Sequence, residues 1–287
     1  MGAGIVASRF AVAEVAPLTL AMLRYAIGFV CLLPFAVQAW RAAGRLRVPL
    51  RDLAAMCLLG IAQFGVLIAL LNWALLHIAA AQAALLFSVF PLLTLVMAAA
   101  AGREQVNPRL LLGVLLSIAG VGVALAPKLQ AAHGGSWWGE AAVLASAAIG
   151  AACSVLYRPY LHRYPTVPVS ALAMLASVFF LALAALGEYW PTRVPAIGAG
   201  AWAAVAFIGV SSAVGYFWWL YALKHESPTR VTIFLALNPV TAAVLGWALL
   251  GETLQPGFGL ALALVGVGLW LGTRPAPLTA NRQGRFG

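Results

Sequence analysis

Charge is scarce in this chain. Charged residues make up 8% of 287 positions and hydrophobic residues 64%, whereas a soluble domain carries about 25% charged residues. So few cannot clothe a water-facing surface, which excludes a soluble globular domain and leaves lipid as the solvent. Acids are scarcer still, seven against 17 Lys and Arg. Glu14, Asp52, Glu104, Glu140, Glu188, Glu226 and Glu252 all fall at the ends of apolar runs, so no carboxylate is expected at mid-membrane, where a proton relay would need one. Three cysteines, Cys31, Cys57 and Cys153, lie inside apolar runs without CxxC spacing, and four histidines are scattered over several links. Neither pattern makes a disulfide framework or a metal site, and no cofactor is expected. P-loop, HExxH and nucleophile-elbow motifs are missing, which argues against an ATP-driven pump, a protease and a hydrolase. No basic stripe lies on a soluble face, so nucleic acid is not a partner.

What the chain does have is long apolar runs. In lipid every backbone amide must be paired internally, so only helices and closed barrels span it. Barrel strands alternate polar and apolar residues, whereas here apolar residues run for about twenty positions, the length a helix needs to cross. The expected fold is an all-α integral membrane protein with ten transmembrane helices near 1–13, 17–40, 52–76, 79–101, 108–126, 138–158, 166–188, 198–223, 227–250 and 256–273. Segment one would span only about 20 Å; it reads as truncated, and an upstream start is expected. With the N-terminus in the cytoplasm, thirteen basic residues fall on inner loops and the tail and two, Lys128 and Arg193, on outer loops. That excess accounts for the net charge of +10 and predicts both termini inside. The stretch 274–287 reads as a basic cytoplasmic tail.

The chain also resembles itself. Shifted by 148 residues, Pro91 falls on Pro239, Glu104 on Glu252, Pro108 on Pro256 and Gly120 on Gly268. Two five-helix repeats, 1–126 and 138–273, are expected. Five is odd, so the second repeat enters the membrane from the opposite side, the inverted arrangement of many secondary transporters, with the substrate near the midplane between the halves.

The ten spans, the Pro-then-Gly-Glu pattern closing segments four and nine (Pro91 to Glu104, and Pro239 to Gly251–Glu252) and the early stretch PLTLAMLRY resemble the EamA-type branch of the drug/metabolite transporter superfamily. The first copy departs from the pattern, reading Gly102–Arg103–Glu104. The resemblance implies a bacterial inner-membrane exporter of amino acids and other small metabolites or toxic compounds. It also implies a cavity lined by segments one to four and six to nine, with five and ten at the periphery. The alternative is an integral membrane enzyme acting on a lipid or isoprenoid carrier, which would need acids or histidines clustered at one membrane face.

Polar residues within lipid-spanning helices are costly and so are candidates for the cavity, against a reading as helix–helix hydrogen bonds. In segment nine Arg230, Phe234, Asn238 and Thr241 share one helical face, and under the repeat Gln82 matches Arg230. Segment eight offers Ser212 and Tyr216, with Trp218, Trp219 and Tyr221 read as an interfacial belt. Gln63 in segment three is the best first-half candidate. Arg24 in segment two either snorkels outward, pairs with Glu14 or faces the cavity, where it would attract a carboxylate. Tyr157 completes the set. Pro91 and Pro239 are expected to kink their helices. Glycines on segments five and ten (Gly113, Gly120, Gly122; Gly259, Gly266, Gly268) read as packing faces, with a homodimer contact among their uses. The expected partners are a small-molecule substrate and the bilayer.

Overall fold

A computed structural model of the chain describes residues 2–42, 48–102, 108–130, 137–226, 228–232, 235, 238–251 and 257–273. Among these residues all regular structure is helical. Phe234, Glu104, Glu252, Pro256 and the tail 274–287 lie outside the described residues, as does the Arg230 side chain.

The helices are α1 (Gly2–Ala11), α2 (Pro17–Ala42), α3 (Leu50–Ala74), α4 (Ala80–Ala100), α5 (Pro108–Gln130), α6 (Trp138–Arg163), α7 (Thr166–Ala184), α8 (Ala199–His225), α9 (Pro228–Thr232), α10 (Asn238–Leu250) and α11 (Phe258–Thr273). A one-turn helix, Trp190–Arg193, precedes α8. Among the described residues six helices are long and apolar enough to cross a membrane: α2, α3, α4, α6, α8, and α7 with the 3₁₀ turn Ala185–Glu188 that prolongs it. α6 runs five residues past the expected end at 158. Pro159 lacks an N–H, but one missing bond in the last turn does not stop a helix whose other amides are paired.

α3 is widened in its middle, where Ile61–Val66 forms a π turn. α4 is interrupted at Ser88 and Val89. Pro91 has no N–H to give the carbonyl of Phe87, and its ring pushes that carbonyl away. The turn at the break is tightened: the Ser88 hydroxyl and amide both donate to the Leu85 carbonyl, and the amides of Leu92 and Leu93 both turn to Val89. The spacing of the element starts recurs 148 residues on. The first residues of the two parts of α4, Ala80 and Phe90, fall on Pro228 and Asn238, which open α9 and α10. Pro239 stands where Pro91 does. α4 ends at Gly102 and α10 at Gly251, each with φ near +65 to +68°. A left-handed residue past the last turn favours glycine, which gives the Gly of the Pro…Gly-Glu pattern its physical purpose.

The chain is packed inside out relative to a soluble protein. Large apolar side chains such as Phe179, Leu183, Trp247 and Leu249 point outward, while the buried face of α6 is built of Gly139, Ala142, Ser146, Ala147, Gly150 and Ser154. In lipid the helices gain little from burying apolar surface, so association relies on close van der Waals packing through small residues. α2 packs on α7 and α8, and α3 on α6 and α7; α1 lies against α8 and α10 as α6 lies against α3 and α4. The contacts α2–α8 and α3–α7 therefore join the first half of the chain to the second. At the α3–α7 crossing a Cβ on Gly60 would lie 2.6 Å from Cα of Ala173, and the Ser177 hydroxyl donates to the Gly60 carbonyl at 2.7 Å.

α5 and α11 pack along each other, with α4 as their main neighbour outside the pair. Their glycines divide. Gly120 meets Val265 and Ala261, and Gly268 meets Ser117 and Gly113, whereas Gly122, Gly259 and Gly266 touch nothing within 4 Å. Half of the expected packing face is thus consumed within one chain.

Candidate functional site

The inner faces of α1, α2, α3, α4, α8 and α10 enclose a pocket at mid-depth. Arg24 stands two turns into α2, and Gln63 and Tyr216 lie more than two turns from either end of their helices. Each is carried there by a local feature. Gln63 is on the π turn of α3, and such turns occur often at functional sites. Asn238 opens α10 beside Pro239. Phe87 and Phe90 flank the break in α4 and line the same space.

The polar groups converge. Arg24 Nε donates to the Ser212 hydroxyl at 2.6 Å, and its guanidinium carbon lies 5.5 Å from the centroid of the Tyr25 ring. The Tyr25 hydroxyl donates to that of Tyr216 at 3.1 Å. Around them Tyr25, Phe64 and Tyr216 form a ring cluster with centroids 4.7–5.8 Å apart, and Phe90 meets Trp219 edge-on at 6.0 Å. Such aromatic pairs each contribute about 0.5–1.5 kcal/mol beyond their buried area. Two polar atoms on the wall have no hydrogen-bond partner: Gln63 Oε1, an acceptor, and Asn238 Nδ2, a donor. Leaving such a group unpaired costs about 1–3 kcal/mol. The pocket thus offers a cation, a free acceptor and a free donor against an aromatic wall. Its volume is about 40 Å³, enough for a water or two and far below the roughly 300 Å³ of a small-molecule site.

Of the residues singled out in the sequence, Arg24, Gln63, Tyr216 and Asn238 stand together on the wall, with Ser212 one hydrogen bond behind. The others stand elsewhere. Gln82 donates to buried Glu140 at 3.1 Å near one end of the bundle. Tyr157 is buried among the helices, away from this wall, with its hydroxyl unpartnered. Thr241 is exposed; its hydroxyl donates to the Asn238 carbonyl at 3.0 Å and its side chain abuts Gly2. Pro91 lies at the break in α4, and Pro239 is the second residue of α10. Trp219, expected in an interfacial belt, is 8% exposed and lines the pocket, while its neighbour Trp218 is 59% exposed and faces outward. Tyr25, Phe64 and Ser8 belong to the pocket or its support and were not singled out. Tyr25 follows Arg24 in the PLTLAMLRY stretch, which was the available signal.

The carboxylates at the helix ends tie the two halves of the chain together. Glu188 accepts from the amides of Leu18 and Thr19, at 3.0 and 2.7 Å, and from the Thr19 hydroxyl at 2.7 Å, capping α2. Glu14 accepts from Gly198 at the start of α8 at 3.2 Å. A carboxylate at a helix N-terminus also meets the positive end of the dipole. At the opposite, basic end the Tyr164 hydroxyl donates to Asp52 at 2.6 Å, and Arg163 lies 3.5 Å from the same carboxylate. The bond to Asp52, helped by desolvation, raises Tyr164 above its ordinary 10.0. A raised acid keeps its proton to higher pH, so this tie is complete below pH 10 and is released as pH climbs through the raised value. In an ultraviolet titration Asp52→Asn should move one of the late-ionising tyrosines of the wild type back toward the ordinary range. An unaltered titration would remove the tie from solution.

A model of the EamA-like transporter family matches the chain twice, over residues 1–126 and 137–274. Among curated relatives, an uncharacterized transporter of Archaeoglobus fulgidus is 27% identical over 271 residues, covering 93% of this chain and 92% of that one. A probable terminal-alkyne amino-acid exporter of Streptantibioticus cattleyicolor is 31% identical over 219 residues, covering 75% and 70%. Among solved structures, one crystal structure superposes with a TM-score of 0.67 over 94% of each chain at 22% identity, which is a likeness of fold.

Proposed function

The chain belongs to the EamA-like transporter family and is a membrane transporter, and from that premise we propose that it exports small metabolites such as amino acids or related compounds across the bacterial inner membrane by alternating access. The observation that carries this reading is the mid-depth pocket with Arg24, Gln63 Oε1 and Asn238 Nδ2 facing one space. A zwitterion fits that triad. Its carboxylate takes hydrogen bonds from Arg24 and Asn238, its ammonium donates to Gln63, and an apolar side chain lies on Phe90 and Trp219. The relative whose name includes an amino-acid exporter supports the same substrate class.

In this reading residues 1–126 and 138–273 are inverted repeats, ten spans in all, with both termini cytoplasmic. Rocking at the α2–α8 and α3–α7 contacts opens the pocket to one side and then the other. The break in α4 puts irregular backbone where it lines a cavity, as lipid requires. The end ties at Glu188, Glu14 and Asp52 are then the contacts that part and re-form in each cycle.

Purified protein in liposomes should move an apolar amino acid down its gradient. The same amine lacking its carboxylate should move at least tenfold more slowly. Equal flux of the two would remove Arg24 from substrate recognition. No flux and no binding across a broad amino-acid panel would count against the substrate class itself.

A further inference from the structure

A second concavity lies on the outside of the bundle, between α2 and α8 and closed at one side by Val167 at the start of α7. Its volume is about 350 Å³, within the range of small-molecule sites and several times that of the central pocket. Its lining is apolar: Leu32, Phe35, Val214, Phe217 and Trp218, with Cys31 the one sulfur. Three of these side chains are turned outward, Phe35 at 60%, Val214 at 55% and Trp218 at 59% exposure. The mouth therefore opens onto the hydrocarbon of the bilayer.

α2 and α8 run in the same direction here. Glu14, just before α2, meets Gly198, just before α8, so the two helices start at the same end; Gly28 sits against Gly209 and Ala213, which puts residues 31–35 of α2 level with about 213–218 of α8, the residues that line one space. Six residues beyond Phe35 is Arg41, and six beyond Trp218 is Lys224. At about 1.5 Å per residue both residues stand roughly 9 Å nearer the end of the bundle than Phe35 and Trp218, the end that also carries Arg51 and Arg163, and their long side chains have the reach to meet a headgroup above the groove. Arg41 is exposed and Lys224 half-exposed. A hydrocarbon groove leading to a pair of cations describes an amphiphile with an apolar tail and an anionic head.

We propose that the α2–α8 groove is a binding site for an anionic phospholipid, one acyl chain lying along Leu32, Phe35, Val214 and Trp218 and the phosphate meeting Arg41 and Lys224. The site is independent of what the central pocket carries. It nonetheless bears on the same two helices that hold the Arg24–Ser212 and Tyr25–Tyr216 hydrogen bonds about two turns away, so its occupancy weighs on how far α2 and α8 can part.

The test is native mass spectrometry of the full chain from detergent, with phosphatidylglycerol and phosphatidylcholine of equal chain length. The wild type should retain phosphatidylglycerol at least fivefold better, and the double variant Arg41→Gln, Lys224→Gln should lose that preference. Both residues are at helix ends and outward, so the fold should tolerate the change. Equal retention of the two lipids by the wild type would overturn the proposal, as would an unchanged preference in the double variant. A phosphatidylglycerol bearing a diazirine in one acyl chain supplies the second readout. Its adducts should map to 31–35 and 214–218, and Val214→Trp, which fills the groove from its outer wall, should reduce them. Adducts spread evenly over the lipid-facing helices would mean an annular lipid and no site.

Discussion

Replacing Arg24 with glutamine is expected to lower amino-acid transport by about 10- to 150-fold. A hydrogen bond to a charged group is worth about 1.5–3 kcal/mol, and each 1.36 kcal/mol is tenfold in rate. Arg24 is half-buried, in surroundings where a carboxylate that loses its cation has no water to fall back on. Glutamine keeps a donor near the position of Nε but neither the charge nor the reach of the guanidinium. Lysine keeps the charge but loses the Nε contact to Ser212 and the fork that grips a carboxylate with two donors, so Arg24→Lys should fall between the wild type and Arg24→Gln. Initial rates in proteoliposomes, normalised to folded protein by gel filtration, are the measurement. If Arg24→Gln transports at the wild-type rate while folding normally, the guanidinium is structural and its hydrogen bond to Ser212 is its whole role.

Much of this architecture is legible in the linear chain, because lipid is an unforgiving solvent. Helix boundaries fall within a few residues of the apolar runs, since a span must be about twenty residues long and its flanks must be polar. Pro91 marks the break in α4, since a missing N–H frees the carbonyl four residues back. The site was less legible, for two reasons. Side-chain direction in a helix depends on where local geometry departs from 3.6 residues per turn, and the π turn at Ile61–Val66 leaves no mark in hydropathy. It sets the facing of Gln63 and Phe64. Aromatic residues near a helix end are also ambiguous without a neighbour. Trp218 and Trp219 are adjacent, one outward and one inward, and only the seat of α8 against α4 and α2 separates them. The acids show the reverse case. Their positions at helix ends could be read directly, but that Glu188 would cap a helix 169 residues earlier could not, because a cap across the chain needs the two halves already packed.

Gly60→Val is expected to cost about 1–3 kcal/mol, the range for overpacking a close contact, and so to reduce the folded-to-unfolded ratio by about 5- to 150-fold. The reason lies in what stands opposite. A Cβ at Gly60 would meet not a side chain that could swing away but the Cα and carbonyl oxygen of Ala173, both at 2.6 Å, and backbone moves only if the helix moves. To admit the new atoms α3 and α7 must separate, which stretches the Ser177 hydrogen bond to the Gly60 carbonyl and shifts the π turn that begins one residue later. Gln63 would then leave its place on the pocket wall. The same substitution at a glycine with open space is the control. A Cβ at Gly4 or at Gly215 meets nothing within 4 Å, so the loss expected at these two comes mainly from the pocket lining or from helix propensity. Thermal unfolding in detergent, followed by tryptophan fluorescence, should order the variants with Gly60→Val well below the other two. If Gly60→Val melts with the wild type and transports normally, α3 and α7 do not cross this closely in the membrane. The contact joining the two halves of the chain there would then have to lie elsewhere.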